Sequence, residues 1–210
     1  MIYNFFYRII QNLIKSLLGK KNFNEDLSTL INKISYDEIH DIGGSDGAIL
    51  KYLNLKQKKY FCYDPDFYNN NLGKKRYKKS KNVFFINKSI DYIKITKTKK
   101  RRIFIFIGVF HHLSNLQIEN FIKQLTENDA VISIDPFYHH NQKMFSILLK
   151  KLDKGNFIRD TNGYKKILNG FNYQKKVDFY LKCYSHIIFY NNIKKEVFLE
   201  IFGKKKNEKK

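Results

Sequence analysis

The sequence contains little cysteine: only Cys62 and Cys183 occur among its 210 residues. The two lie far apart, each inside an apolar run, and they show neither the spacing of a metal site nor that of a disulfide framework. We interpret both as free thiols buried in a protein of the reducing cytosol, and we therefore expect a cytoplasmic location.

Long apolar runs are also absent. The longest, residues 103–110, has the length of a strand, whereas a membrane-spanning helix needs about 20 apolar residues. A cleaved signal peptide is not expected either, because Arg8 and Lys15 interrupt the apolar residues of the first predicted helix. We expect no membrane span.

Acidic residues are scarce relative to basic ones. The chain has 40 Lys and Arg against 19 Asp and Glu, which gives a formal net charge of +21. Such a charge attracts phosphates, anionic lipids or acidic substrates. However, the whole chain is rich in Lys, Asn, Ile, Tyr and Phe, which favours a compositional bias over a dedicated polyanion site. Nucleic acid is therefore an alternative partner but not the favoured one.

Residues 2–18 are predicted to form an amphipathic helix, with Phe6, Ile9 and Leu13 on its apolar face. We favour a helix that packs on the core as part of a helical lid formed by residues 1–34. The alternative is peripheral contact with a membrane surface. Residues 1–203 are predicted to form one domain, and the basic tail over 204–210 is expected to be disordered.

The most informative stretch is residues 38–53, with the sequence EIHDIGGSDGAILKYL. A short apolar strand leads into a turn that contains Gly43, Gly44 and Gly47, and a helix is expected to follow. A strand, a glycine turn and a helix bring bare backbone close to a ligand at the carboxyl edge of an α/β sheet. An ordinary strand-to-helix connection is the alternative, because short glycine patterns are weak signals.

Strands and helices alternate along the rest of the chain. Predicted strands cover residues 38–42, 60–63, 83–86, 103–108 and 130–134, and a closing antiparallel pair covers 171–179 and 185–190. This order predicts an α/β fold: a three-layer, doubly wound, Rossmann-like sheet of seven strands, mostly parallel with an antiparallel edge strand, plus N-terminal helices.

Polar residues gather where those strands end. The ends are residues 41–47, 64, 87–89, 108–112 and 135–140. Because the carboxyl ends of the strands surround one crevice in such a sheet, we expect these residues to form one site. Asp64 follows Gly43 by about 20 residues, the spacing at which an acid accepts hydrogen bonds from the ribose hydroxyls of an adenosine.

With these features, the sequence resembles the class I S-adenosylmethionine-dependent methyltransferases over roughly residues 1–192. The resemblance rests on DIGGSDG after the first strand, Asp64 after the second, GVFHHL after the fourth and ISIDP at the end of the fifth. The HHL motif is typical of the branch that acts on small molecules and lipids.

The resemblance implies S-adenosylmethionine as the cofactor. Asp41 would anchor the glycine turn or hold the methionine amino group, Asp64 would bind the ribose, and Asn87 would face the adenine amino group. The full set of implied cofactor-binding residues is Asp41, Gly43, Gly44, Ser45, Gly47, Asp64, Asn87, Gly108 and Val109.

Two positions depart from the family pattern. Ser45 stands where the family has its middle glycine, and Asn87 with Lys88 stands where the family usually has an acid. These departures leave open an inactive relative that uses the same fold to bind a partner. A nicotinamide dehydrogenase is disfavoured, because a G-x-G-x-x-G pattern counted from Gly43 places Ser45 and Ala48 at its second and third glycines.

Methyl transfer from a sulfonium mainly requires that the acceptor, the methyl group and the sulfur be aligned. Acid–base catalysis is needed only if the acceptor must lose a proton. The candidate acid–base residues are His111, His112 and His139, because histidine titrates near neutral pH. The candidate acceptor-binding residues are Asp135, His140, Asp153 and Arg159. No metal ion is implied.

The sequence therefore predicts an enzyme that transfers a methyl group to an unidentified small molecule or lipid. The alternatives are a nucleic-acid methyltransferase, suggested by the net charge, and the inactive relative. The NPPY-like motif of exocyclic-amine methylation does not follow the fourth strand, where FHHL stands instead.

Overall fold

The computed structural model of this chain describes residues 23–142, 144–152, 155–181 and 184–203. The predicted helix over 2–18, the predicted tail over 204–210, Asp153 and Cys183 lie outside the described residues. No helix in the described ranges has the length and apolar character needed to cross a bilayer.

The described residues contribute eight strands to one sheet. They are β1 (Glu38–Ile42), β2 (Lys59–Tyr63), β3 (Val83–Ile86), β4 (Arg102–Ile107), β5 (Asp129–Tyr138), β6 (Arg159–Asp160), β7 (Asn172–Leu181) and β8 (Tyr184–Asn191). The order across the sheet is β3-β2-β1-β4-β5-β8-β7, and the two-residue β6 pairs with β5 beside this path. The chain thus winds first to one side of β1 and then to the other, which confirms the predicted doubly wound sheet.

Helices cover both faces of the sheet, which confirms the predicted three layers. The α-helices among the described residues are α1 (Phe23–Lys33), α2 (Phe67–Arg76), α3 (Asn115–Ile122), α4 (Met144–Leu152), α5 (Thr161–Ile167) and α6 (Lys195–Phe202). Short 3-10 helices lie at Ala48–Tyr52, Ile90–Tyr92 and Phe110–His112. The helix expected after the glycine turn is therefore a five-residue 3-10 helix. The predicted cap of α3 is present, with Ser114 and Gln117 forming a capping box.

The side chains of β4 alternate between two hydrophobic clusters, one on each face of the sheet. Ile103 and Ile105 belong to the cluster with α1 and α6, whereas Phe104 and Phe106 belong to the cluster with α3 and α5. All four are at most 1 % exposed. Burial on both faces explains why this strand is apolar throughout.

Two features of the sheet differ in detail from the sequence prediction. β5 was expected to end at Ile134 but continues to Tyr138, because β8 pairs with it through Pro136 and β6 pairs with it beyond that residue. The antiparallel strand, β8, lies between β5 and β7, so it is one position in from the edge.

α1 packs into the core on the face that it shares with α6. Its Leu27, Leu30 and Ile31 are fully buried. The lid assigned to residues 1–34 and the single domain over 1–203 remain predictions.

Candidate functional site

The candidate site lies where the carboxyl ends of β1, β2 and β4 meet. β1 pairs in parallel with both neighbours, and Ile42 at its end lies opposite Tyr63 and Phe106. The residues that follow these three positions therefore lie side by side, as expected at a switch point of a doubly wound sheet.

The turn after β1 is a left-handed backbone cradle. The backbone φ angles of Gly43, Ser45 and Gly47 are 70°, 55° and 73°. The Gly43 N–H donates to the Tyr63 carbonyl at 2.7 Å, and a Cβ on Gly43 would lie only 2.7 Å from Val109 Cγ2. The left-handed φ favours glycine at position 43, and the contact with Val109 leaves no room for a side chain there.

Ser45 has a left-handed φ of 55°, a conformation that usually favours glycine. A residue with a Cβ is destabilised by about 1–2 kcal/mol in the left-handed region. Ser45 is therefore strained in the folded state. The departure from the family pattern at this position therefore changes a side chain but leaves the backbone cradle formed.

We expect Ser45→Gly to raise the free energy of unfolding by about 0.5–1 kcal/mol, since relief of this strain outweighs the added freedom of the unfolded chain. Chemical denaturation measures the change. Gln57→Gly is the matched control, because Gln57 also has a left-handed φ of 59° but precedes β2 at the opposite edge. Both variants should gain stability, because each removes a Cβ from a residue in the left-handed region. A loss of stability in Ser45→Gly would contradict this account of the turn.

Asp64 joins the end of β2 to the glycine turn. Its Oδ2 accepts the Ser45 N–H at 2.8 Å, and its Oδ1 accepts the Asp66 N–H at 2.8 Å. Burial raises the pKa of Asp64, and these two backbone donors oppose that rise. Each oxygen keeps a further lone pair, so the carboxylate is oriented by the backbone and can still accept hydrogen bonds from a diol.

Asp41 lies beneath the turn and is 2 % exposed. Its Oδ2 accepts the Tyr60 hydroxyl at 2.5 Å, and a Cβ on Gly44 would lie 2.5 Å from the same oxygen. Burial raises the pKa of Asp41 from 3.8 to about 7, although the Tyr60 hydrogen bond opposes the rise. Asp41 therefore supports the turn from below, and its charge changes near neutral pH.

This raised pKa predicts how Asp41 affects stability. The folded state binds a proton at Asp41 up to about pH 7, whereas the unfolded chain releases it near pH 4. Asp41 therefore makes stability fall as the pH rises from about 4 to 7. Asp41→Asn should remove this fall. The free energy of unfolding of the variant, relative to that of the wild type, should therefore increase by about 2–3 kcal/mol between about pH 5 and pH 8. A pH-independent difference from the wild type, measured by denaturation, would contradict the assignment.

Asn87 lies beside Asp64 at the end of β3. Its Nδ2 donates to the Asp64 backbone carbonyl at 2.9 Å, and the side chain is exposed. Since the amide nitrogen faces Asp64, Oδ1 points the other way and can accept a hydrogen bond.

A buried His–Asp pair joins the turn after β4 to β5. The backbone N–H of His111 and its Nδ1 both lie within hydrogen-bonding distance of Asp135 Oδ1, at 3.1 and 2.9 Å. His111 is 4 % and Asp135 1 % exposed. A carboxylate only accepts hydrogen bonds, so the proton of a neutral imidazole belongs on Nδ1 and the lone pair on Nε2. Asp135 Oδ2 is also buried and accepts no hydrogen bond from a described side chain or backbone group.

Arg159 forms hydrogen bonds to this turn. Its guanidinium donates to the carbonyls of Phe110 at 2.9 Å and Leu113 at 2.7 Å, and to Asn115 Oδ1 at 2.7 Å. The Phe157 N–H donates to the His111 carbonyl at 2.9 Å. Arg159 therefore stabilises the turn that contains His111.

The other predicted site residues do not all lie close to this site. Gly108 has φ 65°, and a Cβ on it would lie 3.5 Å from His111 Cε1. His112 and His140 are exposed, and His139 Nε2 lies 2.9 Å from Ser185 Oγ. Within the described ranges, no group of three or more His, Cys, Asp and Glu side chains is arranged to hold a metal ion.

Two buried residues with polar contacts were not singled out from the sequence, and one of them, Tyr60, lies at the site. Tyr60 holds Asp41, and Lys150, which is 1 % exposed, donates to the Phe137 carbonyl at 2.5 Å. Period-two alternation places Tyr60 and Cys62 on one face of β2, but only the register with β1 brings Tyr60 to Asp41. Lys150 is one of two neighbouring lysines near the end of the mostly apolar α4, a pattern that does not mark it as buried.

Several solved structures of methyltransferases share this fold. An S-adenosylmethionine-dependent methyltransferase from Leishmania major is 15 % identical with a TM-score of 0.61, over 80 % of this chain and 70 % of its own. One from Aquifex aeolicus is 16 % identical with a TM-score of 0.57, over 85 % of this chain and 96 % of its own. Human N-acetylserotonin methyltransferase, solved with S-adenosylmethionine, is 16 % identical with a TM-score of 0.54, over 79 % of this chain and 51 % of its own.

The similarity to these structures shows the fold that the sequence resemblance predicted, that of the S-adenosylmethionine-dependent methyltransferases. The chain spans only 51–56 % of the length of several of the similar structures. No protein-family model matches the sequence, and no curated protein matches it.

Proposed function

We propose that the chain is an S-adenosylmethionine-dependent methyltransferase that acts on a small-molecule or lipid acceptor. The observation that carries the proposal is the hydrogen bond from the Ser45 N–H to Asp64 Oδ2. It brings a left-handed glycine cradle and an oriented carboxylate together at one edge of the sheet. This combination suits an adenosine whose ribose reaches the acid while the backbone approaches the rest of the molecule.

The residues present fit this cofactor. Asp64 offers acceptors for the ribose hydroxyls, Asn87 Oδ1 can accept from the adenine amino group, and Gly108 and Val109 line the methionine side. The absence of a side chain at Gly43 lets Val109 pack directly against the turn, which brings the residues after β1 and β4 together. When bound, S-adenosylmethionine supplies a methyl group already activated on a sulfonium.

The protein's own contribution is mainly to position the acceptor and exclude water. His111 is the acid–base candidate with a carboxylate partner, because Asp135 fixes its tautomer and leaves Nε2 as the basic nitrogen. Arg159 acts through the carbonyls of Phe110 and Leu113 and keeps this turn in place, so we assign it a positioning role. Asp153 lies outside the described residues, and its acceptor role remains a prediction.

The small-molecule acceptor class rests on the HHL motif and on the names of similar structures. One of them, for example, is mitomycin 7-O-methyltransferase, 9 % identical with a TM-score of 0.58. The nucleic-acid methyltransferase and the inactive relative remain the alternatives. The left-handed backbone at Ser45 weighs against the inactive relative, since the cradle persists despite the serine.

Transfer of a labelled methyl group tests the proposal. The chain is incubated with methyl-labelled S-adenosylmethionine and, separately, with a polar metabolite extract, a lipid extract and total RNA. We expect label in one of the first two pools. Label in RNA alone would favour the nucleic-acid enzyme, and binding of the cofactor without transfer to any pool would favour the inactive relative.

A further inference from the structure

We propose that the amino edge of the sheet is a docking surface for the phosphate backbone of a nucleic acid. It carries a cluster of exposed cations, called here the amino-edge surface. Its members are Lys56, Lys59, Lys78, Lys79, Lys81, Lys97, Lys99, Lys100 and Arg101. Neither the fold nor the proposed methyl transfer requires such a cluster.

Strand order brings these cations together. They lie in or next to the three loops that lead into β2, β3 and β4, which run parallel within the order β3-β2-β1-β4. Their starting ends therefore share one edge. With about 4.8 Å between strands, the surface from β3 to β4 is about 14 Å wide, which matches roughly four phosphates of one strand.

The positive charge is concentrated at this edge and is not spread evenly over the sheet. Loops 54–58, 77–82 and 94–101 contain no Asp or Glu, and the loops before β1 and β5 add only Asp37 and Glu127 to this edge. At the opposite edge, the turns 43–47 and 64–66 contain three acids and no Lys or Arg, and residues 87–89 add one lysine. A bias in composition alone does not separate the charges in this way. The uneven distribution argues for a surface that has a polyanionic partner.

Most of the cations are uncompensated. Two acids lie at this edge: Glu38 pairs with Lys100 at 2.6 Å, and Asp37 accepts the backbone N–H of Arg101 at 2.9 Å and keeps its charge. They offset two of the nine cations. Among the ion pairs between described residues, the pair with Glu38 is the one that uses a cation of this surface.

Hydrogen bonds hold the loops in a fixed arrangement. Asn82 Nδ2 donates to the carbonyls of Leu55 at 3.0 Å and Lys58 at 2.8 Å, which joins the loops before β3 and β2. The Asp37 carbonyl accepts the Lys59 N–H at 3.1 Å, and its N–H donates to the Arg101 carbonyl at 2.8 Å. The backbone that carries the cations is thus already ordered, which lowers the conformational entropy lost on binding.

The chemistry of the surface favours a nucleic acid over a membrane. None of the large exposed apolar side chains belongs to these three loops, so the surface has nothing to insert into a bilayer. Its other exposed groups include Asn54, Gln57, Ser80 and Thr96, the neutral hydrogen-bonding types that contact phosphates beside Lys and Arg. The surface fits a backbone-binding site without sequence preference.

The amino-edge surface is separate from the candidate cofactor site. The five residues of β1 place the two edges about 16 Å apart. Nucleic acid bound there is therefore held away from the acceptor position, and loss of this binding need not affect the cofactor.

Fluorescence anisotropy with a labelled mixed-sequence RNA of about 20 nucleotides tests the proposal across a salt titration. For contact with about four phosphates, log affinity should fall with log salt with a slope of about −3. The variant Lys56→Gln/Lys59→Gln/Lys97→Gln/Lys99→Gln should bind roughly 100-fold more weakly at about 0.1 M salt, with a clearly shallower slope, because five cations of the surface remain.

A control variant removes the same charge elsewhere. Lys151, Lys165, Lys166 and Lys175 are also exposed and lie on α4, α5 and β7, outside the loops of this edge, so their replacement by Gln should change affinity less than about threefold. Equal losses in the two variants, or no RNA binding by the wild type, would overturn the proposal. Binding to vesicles of phosphatidylserine and phosphatidylcholine without RNA binding would assign the surface to a membrane instead. S-adenosylmethionine titrations of both variants should match the wild type, which separates this result from failure of the proposed enzyme.

Discussion

Asp64→Asn is expected to weaken S-adenosylmethionine binding by roughly 30- to 150-fold, which corresponds to about 2–3 kcal/mol. The carboxylate is held by the Ser45 and Asp66 N–H groups, so it needs little reorganisation to accept the ribose hydroxyls. Asparagine removes the charge that strengthens those hydrogen bonds. It also leaves a single acceptor oxygen for both the backbone N–H groups and the ribose hydroxyls. Isothermal titration calorimetry with the cofactor and its demethylated product measures the loss.

Asp66→Asn is the matched control for this experiment. Asp66 lies two residues away and caps α2 by accepting the Asn69 N–H at 3.1 Å. Asparagine caps a helix as well as aspartate does, so this variant removes a nearby charge and keeps the structure. It should bind the cofactor within about threefold of the wild type. Equal losses in both variants would mean that Asp64 acts through local charge and not through contact with the ribose.

Asp129→Asn is expected to lower the free energy of unfolding by about 3–5 kcal/mol, because it leaves a buried guanidinium without its counterion. Arg102 and Asp129 form a two-pronged pair, with Nε–Oδ1 and Nη2–Oδ2 distances of 2.6 and 2.8 Å, and they are 4 % and 1 % exposed. The pair fixes the starts of β4 and β5 next to each other. Urea denaturation of the variant measures the effect.

Two comparisons isolate this buried pair. Glu200→Gln removes one partner of an exposed pair with Lys33 and should change stability by less than about 1 kcal/mol. The double variant Arg102→Met/Asp129→Asn should be more stable than Asp129→Asn alone, because it removes the unpaired charge. A double variant as unstable as the single one would show that the loss comes from the Thr126 contacts of Asp129 instead.

The same pair also predicts a pH dependence. Burial disfavours the charged form of Asp129, but hydrogen bonds from Arg102 and Thr126 outweigh it and lower its pKa below 3.8. The stabilisation is therefore fully present above the unfolded pKa of about 4 and is lost as the pH falls through the lower folded value. The contribution of Asp41 to stability changes in the opposite direction with pH and does so at higher pH. The two contributions therefore separate in a titration of stability against pH.

The sequence predicted those parts of the structure that follow from local pattern. β4 is apolar throughout because it is buried on both faces, and the Ser114–Gln117 cap marks the start of α3 directly. The position of Asp64 beside the glycine turn follows from the spacing of two parallel strands. Each of these features needs only neighbouring residues and the regular geometry of a sheet.

The features that the sequence did not predict depend on distant partners. Pro136 indicated a strand end, but β8 and β6 pair with β5 on either side of that point and extend it. Arg159 contacts a turn more than forty residues earlier in the chain, which no local pattern reveals. The place of β8 inside the sheet does have a signal: its Ile187, Ile188 and Phe189 are consecutive and buried, as in a strand covered on both faces.

A crystal structure with S-adenosylhomocysteine bound tests the central claim most directly. We expect the ribose hydroxyls within about 3 Å of the Asp64 carboxylate oxygens, with the adenosine lying across the backbone of Gly43–Gly47 and the homocysteine near Gly108. Nucleoside bound at another edge of the sheet, or a ribose that contacts no oxygen of Asp64, would contradict the account.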